Sequence, residues 1–223
     1  MKTMKLLVVA KVMCTAVLDA VIPLHERAAR TVARGVQDIP LSPTVHDLLG
    51  VRITTLMDYR DPAVQDLIHS LKYDRSQHAA HVAAEILADY LREELVAAKT
   101  FSTKKIFLVP VPLHKNRSRE RGFNQIELVL QALPAEFRDG SISTYAPEML
   151  TRTRETKPQT RLQRSERLSN VAGAFALDEN LDVKKSRVFL LDDVTTTGAT
   201  LVNAAHPLRR AGAEVTLLAL ARA

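Results

Sequence analysis

The 223-residue chain contains no tryptophan, and aromatic residues make up only 4% of it. Recognition of nucleic acid by rows of stacked rings therefore has little material to draw on. One cysteine, Cys14, excludes an internal disulfide framework and a Cys-rich zinc site, so no zinc is expected. A lone thiol also suits a reducing compartment. Long apolar runs are missing too. Leu6-Leu7-Val8-Val9-Ala10 follows Lys2 and Lys5 and is interrupted by Lys11, with Asp19 beyond, so no uncharged stretch is long enough to cross a bilayer. Met13 before Cys14 does not suit a lipoprotein cleavage site. A cytoplasmic chain without a membrane span is expected. Internal repeats and low-complexity tracts are absent as well.

What is present fits one medium domain with an appendage, since 46% of the residues are hydrophobic and can build a sizeable core. The net charge of +6 and pI near 9.6 point to anionic partners, either nucleic acid or phosphorylated small molecules. Where the charge sits matters more than its total.

Helix and strand signals alternate along the chain. The apolar stretch ending near Asp19-Ala20-Val21-Ile22 is predicted as a helix stopped by Pro23. Gly35, Pro40, Pro43 and Gly50 mark residues 35–50 as connecting loop, and Val51 to Tyr59 alternates like a strand. Asp61-Pro62 pairs a capping carboxylate with proline at the first helical position. The helix it starts has Val64, Leu67, Ile68 and Leu71 on one face. A second helix is expected over about His78 to Ala98, with Val82, Ile86, Leu87, Tyr90, Leu91 and Leu95 as its buried stripe. The continuous apolar runs Ile106–Val109, Val188–Leu191 and Val215–Leu220 read as strands covered on both faces. Between them lie helical segments at Gln125 to Leu133 and Ala199 to Ala211, the latter closed by Gly212. This alternation predicts an α/β fold with a mostly parallel central sheet flanked by helices.

The most informative segment is Val188-Phe189-Leu190-Leu191-Asp192-Asp193-Val194-Thr195-Thr196-Thr197-Gly198-Ala199-Thr200. A buried strand leads to two adjacent carboxylates, which repel each other and need hydroxyl or cationic partners. A sugar diol can donate to them. Thr195, Thr196, Thr197 and Gly198 then offer hydroxyls and backbone N–H groups on a glycine-enabled turn. The turn opens a helix whose N-terminus favours an anion, and Thr200 lies in its first turn. The string therefore describes a ribose beside a phosphate, beyond the carboxyl end of a central strand.

This segment closely resembles the motif with which type I phosphoribosyltransferases bind phosphoribosyl pyrophosphate (PRPP). Further strings narrow the resemblance to the ComF family of competence-associated proteins. They are Ile68-His69-Ser70-Leu71-Lys72-Tyr73, Val109-Pro110-Val111-Pro112-Leu113-His114, Arg121-Gly122-Phe123-Asn124-Gln125, the run from Leu150 to Thr160, and Arg167-Leu168-Ser169-Asn170-Val171. The likeness covers about residues 50–223. It implies a phosphoribosyltransferase-like domain over 51–223, behind an N-terminal helical or hood segment, 1–50, that lacks the zinc-binding Cys cluster of many relatives.

The resemblance also assigns roles. Asp192 and Asp193 would hold the ribose hydroxyls, and Thr195, Thr196, Thr197, Gly198 and Thr200 the 5-phosphate. Leu113, His114, Lys115 and Arg117 would form the pyrophosphate loop, in a basic run that continues with Arg119 and Arg121. Read on charge alone, that run is a solvated turn or a nucleic-acid patch. Arg152, Arg154, Lys157, Arg161 and Arg164 fall where the fold carries a mobile lid, and the same charges could track single-stranded nucleic acid. Lys72 and Tyr73 look adjacent to the site, without an assigned role. His78, His81 and Glu85 share a helix face but read as solvated surface, as do His46, His69 and His206.

The implied activity is binding of Mg²⁺-PRPP and transfer of its 5-phosphoribosyl group to an acceptor, with Mg²⁺ arriving on the pyrophosphate. No general base for an acceptor stands out. The alternative is a competence or DNA-uptake factor that uses the fold to bind single-stranded DNA or competence-machinery proteins with little catalysis.

Overall fold

The computed structural model describes residues 24–101, 104–113, 122–153 and 173–223. The helix expected before Pro23 lies outside them. The three continuous apolar runs form the middle of a six-stranded sheet. Its strands are β1 (Thr44–Leu48), β2 (Val51–Asp58), β3 (Ile106–Pro110), β4 (Thr144–Tyr145), β7 (Arg187–Thr195) and β8 (Glu214–Arg222), in the spatial order β1-β2-β8-β7-β3-β4. All neighbours run parallel except β1 and β2. A separate antiparallel ribbon pairs β5 (Leu150–Arg152) with β6 (Phe175–Leu177).

Alternate residues of the central strands enter two cores. Phe189, Leu191, Leu218 and Leu220 face helices α2 (Pro62–Tyr73), α3 (Gln77–Phe101) and α4 (Gln125–Ala132). Val188, Leu190, Leu217 and Ala219 face α5 (Ala199–Arg210) and the β5–β6 ribbon. The expected mostly parallel, helix-flanked sheet is thus present. Among the described residues no helix is long and apolar enough to cross a membrane.

Local chemistry sets the helix starts. Asp61 Oδ1 accepts from the N–H groups of Ala63 at 2.7 Å and Val64 at 3.4 Å, with Pro62 at the first helical position. Asn124 caps α4 by accepting from Ile126 N–H at 3.3 Å. The stripes expected on α2 and α3 are buried, except that Tyr90 is only half-buried.

One local expectation fails. Residues 35–50 were expected to be connecting loop, yet Thr44–Leu48 form the edge strand β1, in register with β2 from Thr44↔Thr55 to Leu48↔Val51. The two strands meet at Leu49 and Gly50, whose φ values of 57° and 72° give the doubly left-handed bend that suits a tight hairpin. Leucine is a poor signal for that conformation, which is why the hairpin does not stand out in the sequence.

Helix α1 (Leu24–Val32) is held on α2 by polar contacts. Arg30 makes a two-pronged contact with Asp66, Nε to Oδ2 at 2.9 Å and Nη2 to Oδ1 at 3.2 Å. Arg34 Nη1 reaches the same Oδ2 at 2.8 Å, and the buried hydroxyls of Thr31 and Ser70 meet at 3.0 Å. Arg27 pairs with Asp74 at 2.8 Å. The Arg30 hydrogen bond, followed by that of Arg34, holds the Asp66 carboxyl below its ordinary range despite partial burial. A depressed pKa contributes stability above the unfolded-state value that is lost as pH falls through the folded-state value. Asp66→Asn is therefore expected to destabilise the protein by about 1–3 kcal/mol at neutral pH. In thermal melts, the gap between variant and wild type should close as pH falls below about 4.

Candidate functional site

Strand β7 does not end at Leu191, where the apolar run stops. It continues through both acids to Thr195, paired with β8 as Asp192↔Ala219, Val194↔Ala221 and Thr195↔Arg222. The adjacent carboxylates lie close enough for their side chains to interact directly.

Asp193 points towards the α2–α4 side and is almost fully buried. Its Oδ2 receives Lys72 Nζ at 3.1 Å and Gln125 Nε2 at 2.7 Å. Its Oδ1 accepts from Val194 N–H at 2.6 Å. Lys72 comes from the last turn of α2 and Gln125 from the first residue of α4, so Asp193 ties two helices to the strand end.

Asp192 accepts from the Asp193 N–H through Oδ1 at 2.9 Å. Burial, and then the neighbouring charge of Asp193, push its carboxyl well above the ordinary range, and Lys72 opposes the shift. The two acids are thus unequal. Asp193 is tied to two helices, while the contacts of Asp192 are with Asp193 itself.

The turn beyond β7 runs from a buried Thr195 through an exposed Thr196 to Thr197, whose hydroxyl accepts from Ala199 N–H at 3.5 Å. Gly198 sits at the N-terminus of α5 with φ 77°, and Val202 N–H bonds its carbonyl at 2.9 Å. Thr200 is half-buried in the first turn. The structure thus gathers Asp192, Thr195, Thr196, Thr197, Gly198 and Thr200 at one strand–turn–helix junction. The first N–H groups of α5 have no carbonyl in a preceding turn and carry the positive end of the helix dipole. Chemically, this junction can take a phosphate on the turn and a hydroxyl on the strand-end carboxylate.

The other expected site residues divide in two groups. Leu113 follows β3 and is half-buried, whereas His114, Lys115 and Arg117 lie outside the described residues. The ends of that segment are fixed close together. Val111 N–H bonds Leu191 O at 2.8 Å, and Asn124 Nδ2 donates to Val111 O at 3.1 Å. Val111 and Asn124, on either side of the basic run in sequence, therefore both lie near the end of β7.

For the lid, Arg154, Lys157, Arg161 and Arg164 also lie outside the described residues. Arg152 is in β5, with its guanidinium 5.3 Å from the Phe175 ring centre across the ribbon. The ribbon brings the two ends of the intervening segment together, and Thr153 N–H bonds Ala174 O at 2.9 Å.

Lys72 has no role assigned from the sequence, and Gln125 appears in it as a helix start and as the end of a family string. Both lie in the strings that carried the family resemblance, which was the available signal. Of the histidines on α3, His81 Nδ1 bonds Gln77 O one turn back at 2.8 Å, whereas half-buried His78, expected on solvated surface, reaches Arg34 O with Nε2 at 2.9 Å, 44 residues away. His69 Nε2 lies 2.9 Å from the Tyr59 hydroxyl, and its ring meets Tyr73 edge-on at 5.5 Å. Among the described residues no cluster of His, Cys, Asp and Glu is built to hold a metal ion.

No family model matches the chain. Individual proteins do. DNA utilization protein YhgH of Escherichia coli (strain K12) is 36% identical over 163 residues, which cover 73% of this chain and 67% of that protein. Competence protein ComFC of Streptococcus pneumoniae is 29% identical over 166 residues, covering 74% of this chain and 66% of its own. Competence protein F of Haemophilus influenzae is 34% identical over 118 residues, 52% of this chain and 50% of that one. Among solved structures, adenine phosphoribosyltransferase from Saccharomyces cerevisiae is similar with a TM-score of 0.36 and 13% identity, over 84% of this chain and 88% of that one. Orotate phosphoribosyltransferase of Mycobacterium tuberculosis gives 0.33 and 13%, over 86% and 81%. The likeness to YhgH, reaching two thirds of its length, and the two competence proteins beside it show that this chain belongs to the ComF family.

Proposed function

We propose that the β7–α5 junction binds PRPP, with the 5-phosphate on residues 195–200 and a ribose hydroxyl on Asp192. The protein then transfers the phosphoribosyl group to an acceptor and releases pyrophosphate. The observation that carries this reading is the inequality of the two acids. Lys72 and Gln125 hold Asp193 in the scaffold, leaving Asp192 beside an anion-receptive helix start. Such a constellation acts by positioning and by electrostatics that await developing charge. Asp192 is also the hard oxygen donor that suits Mg²⁺, a cation that keeps several waters and needs few protein ligands. Mg²⁺ would neutralise charge on the departing pyrophosphate.

The names of the relatives favour a second reading, in which the basic segments 114–121 and 154–167 bind single-stranded DNA and chemistry is minor. Calorimetric titration with PRPP, with and without Mg²⁺, tests the first reading. Saturable, Mg²⁺-dependent binding is the expected result. A folded protein that takes up no PRPP overturns it. Affinity for single-stranded DNA that falls steeply with salt, without PRPP binding, would then leave the DNA reading standing.

A further inference from the structure

Strand β7 has a second neighbourhood, on the side away from β3. There the ends of β2 and β8 and the edge strand β1 enclose a cavity of about 520 Å³, lined by His46, Thr55, Met57, Asp58 and Arg222 among others. Sites for small organic ligands span about 300–1,000 Å³. The cavity adjoins the turn after β7 but has its own lining, since Ala223 at its rim bonds Thr195 O at 3.0 Å while none of residues 195–200 lines it.

The charge arrangement inside is unusual. Arg222 is half-buried, and its Nη1 bonds His46 Nδ1 at 2.5 Å. Among the described residues no carboxylate oxygen lies within 4.0 Å of its guanidinium. A guanidinium can only donate, so His46 Nδ1 must be the acceptor and Nε2 carries the proton. Nε2–H then donates to Thr55 Oγ1 at 2.9 Å, which frees the Thr55 hydroxyl hydrogen to point elsewhere. Burial, and then the Arg222 charge, lower the His46 pKa, so the ring adds no second positive charge.

Asp58 completes the cavity. Arg60 grips it through Nε at 3.1 Å and Nη2 at 2.6 Å, and the side-chain bond from Arg60 brings its pKa down to about 2. It is therefore an ionised acceptor, while Met57 supplies an apolar wall.

We propose that this cavity binds a phosphorylated ligand of nucleoside-monophosphate size, its phosphate on Arg222 and the Thr55 hydroxyl and a sugar hydroxyl on Asp58. A guanidinium with no carboxylate oxygen within 4.0 Å, beside a hydroxyl with a free hydrogen, matches a phosphate monoester, and the Asp58 charge across the cavity acts on Arg222 from further away. The volume exceeds what inorganic phosphate needs. The site stands independently of PRPP binding at the β7–α5 junction.

The test titrates AMP, inorganic phosphate and adenosine into the full chain carrying Asp192→Asn, and into the same chain with Arg222→Gln added. AMP should bind at least tenfold more tightly than phosphate, adenosine should not bind, and Arg222→Gln should weaken AMP binding at least tenfold. In the wild-type chain, AMP should also shift the ring-proton resonance of His46 while leaving that of the exposed His206 in place. This second readout does not depend on the fold of any variant. Four results would overturn the proposal. They are AMP binding that ignores Arg222→Gln, equal affinity for phosphate and AMP, no AMP binding at all, and an unmoved His46 resonance at saturating AMP.

Discussion

Asp192→Asn is expected to weaken PRPP binding about tenfold to a hundredfold, the equivalent of one charge-assisted hydrogen bond of about 1.5–3 kcal/mol. The fold should survive, because among the described residues the hydrogen bonds of Asp192 are to its chain neighbour Asp193 and tie down no other element. Asp193→Ala should behave differently. It strands Lys72, whose side chain is 18% exposed, and removes the acceptor of Gln125 at 2.7 Å. Breaking a buried pair from one side costs ~3 kcal/mol or more. Asp193→Ala should therefore lower the melting temperature as well as lose PRPP.

Acidity adds a second signature. The Asp192 carboxyl is raised by burial and by the charge of Asp193. A carboxyl raised on folding contributes stability at low pH that is lost as pH climbs from the unfolded-state value, near 4, through the raised folded-state value. Asp192→Asn, which cannot ionise, should thus melt at a higher temperature than wild type at alkaline pH. PRPP, donating hydroxyls to the ionised form, should bind wild type more tightly as pH rises, beyond the change seen in the variant. Parallel titrations and melts across pH 5–9 check both signs. A variant that binds PRPP as wild type does would remove Asp192 from the site.

Gly198→Ala should be the most damaging single-methyl change in the phosphate turn. Gly198 has φ 77°, a conformation that costs a residue with a Cβ about 1–2 kcal/mol. The added Cβ would also lie 2.5 Å from Ile53 Cδ1 and 3.2 Å from Leu48 Cβ, inside the β1–β2 hairpin. Overpacking of this kind costs about 1–3 kcal/mol. A total loss of about 2–5 kcal/mol should lower the melting temperature by roughly 5–15 °C in a chain of this size.

Gly50→Ala is the control. Its φ is 72°, but nothing lies within 4 Å of the new Cβ, so only the conformational cost applies. Adding Ile53→Val to Gly198→Ala removes the clashing methyl and should recover part of the loss. Equal melting temperatures for the two glycine variants would mean that the hairpin does not press on the turn. If the proposed site is right, PRPP binding should fall with Gly198→Ala even in the folded fraction, because relief of the clash moves the N–H groups proposed to meet the 5-phosphate.

The sheet was readable in the sequence because burial on both faces leaves a plain mark. Ile106–Val109, Val188–Leu191 and Val215–Leu220 have little choice of environment, and each became a central strand. Helix α2 was readable to its first residue because a cap is local chemistry, here Asp61 and Pro62. Strand β1 was not. Its outward residues are polar or isolated, and its turn rests on a leucine at φ 57° that only pairing with β2 holds in place. The strand end was misjudged for a related reason. Asp192 and Asp193 have low intrinsic preference for strands, and the pairing of β7 with β8 overrode it.

The order of the phosphate-turn residues, their hydroxyls and the glycine before the helix belong to the sequence alone, because contacts between near neighbours depend on few distant atoms. The difference between the two acids belongs to the tertiary structure. It arises when α2 and α4, separated in the chain by α3 and β3, bring Lys72 and Gln125 to the same carboxylate oxygen. The pairing of Arg222 with His46, 176 residues apart, has the same origin. Electrostatic partners of this kind are chosen by packing in three dimensions, and spacing along the chain carries no trace of them.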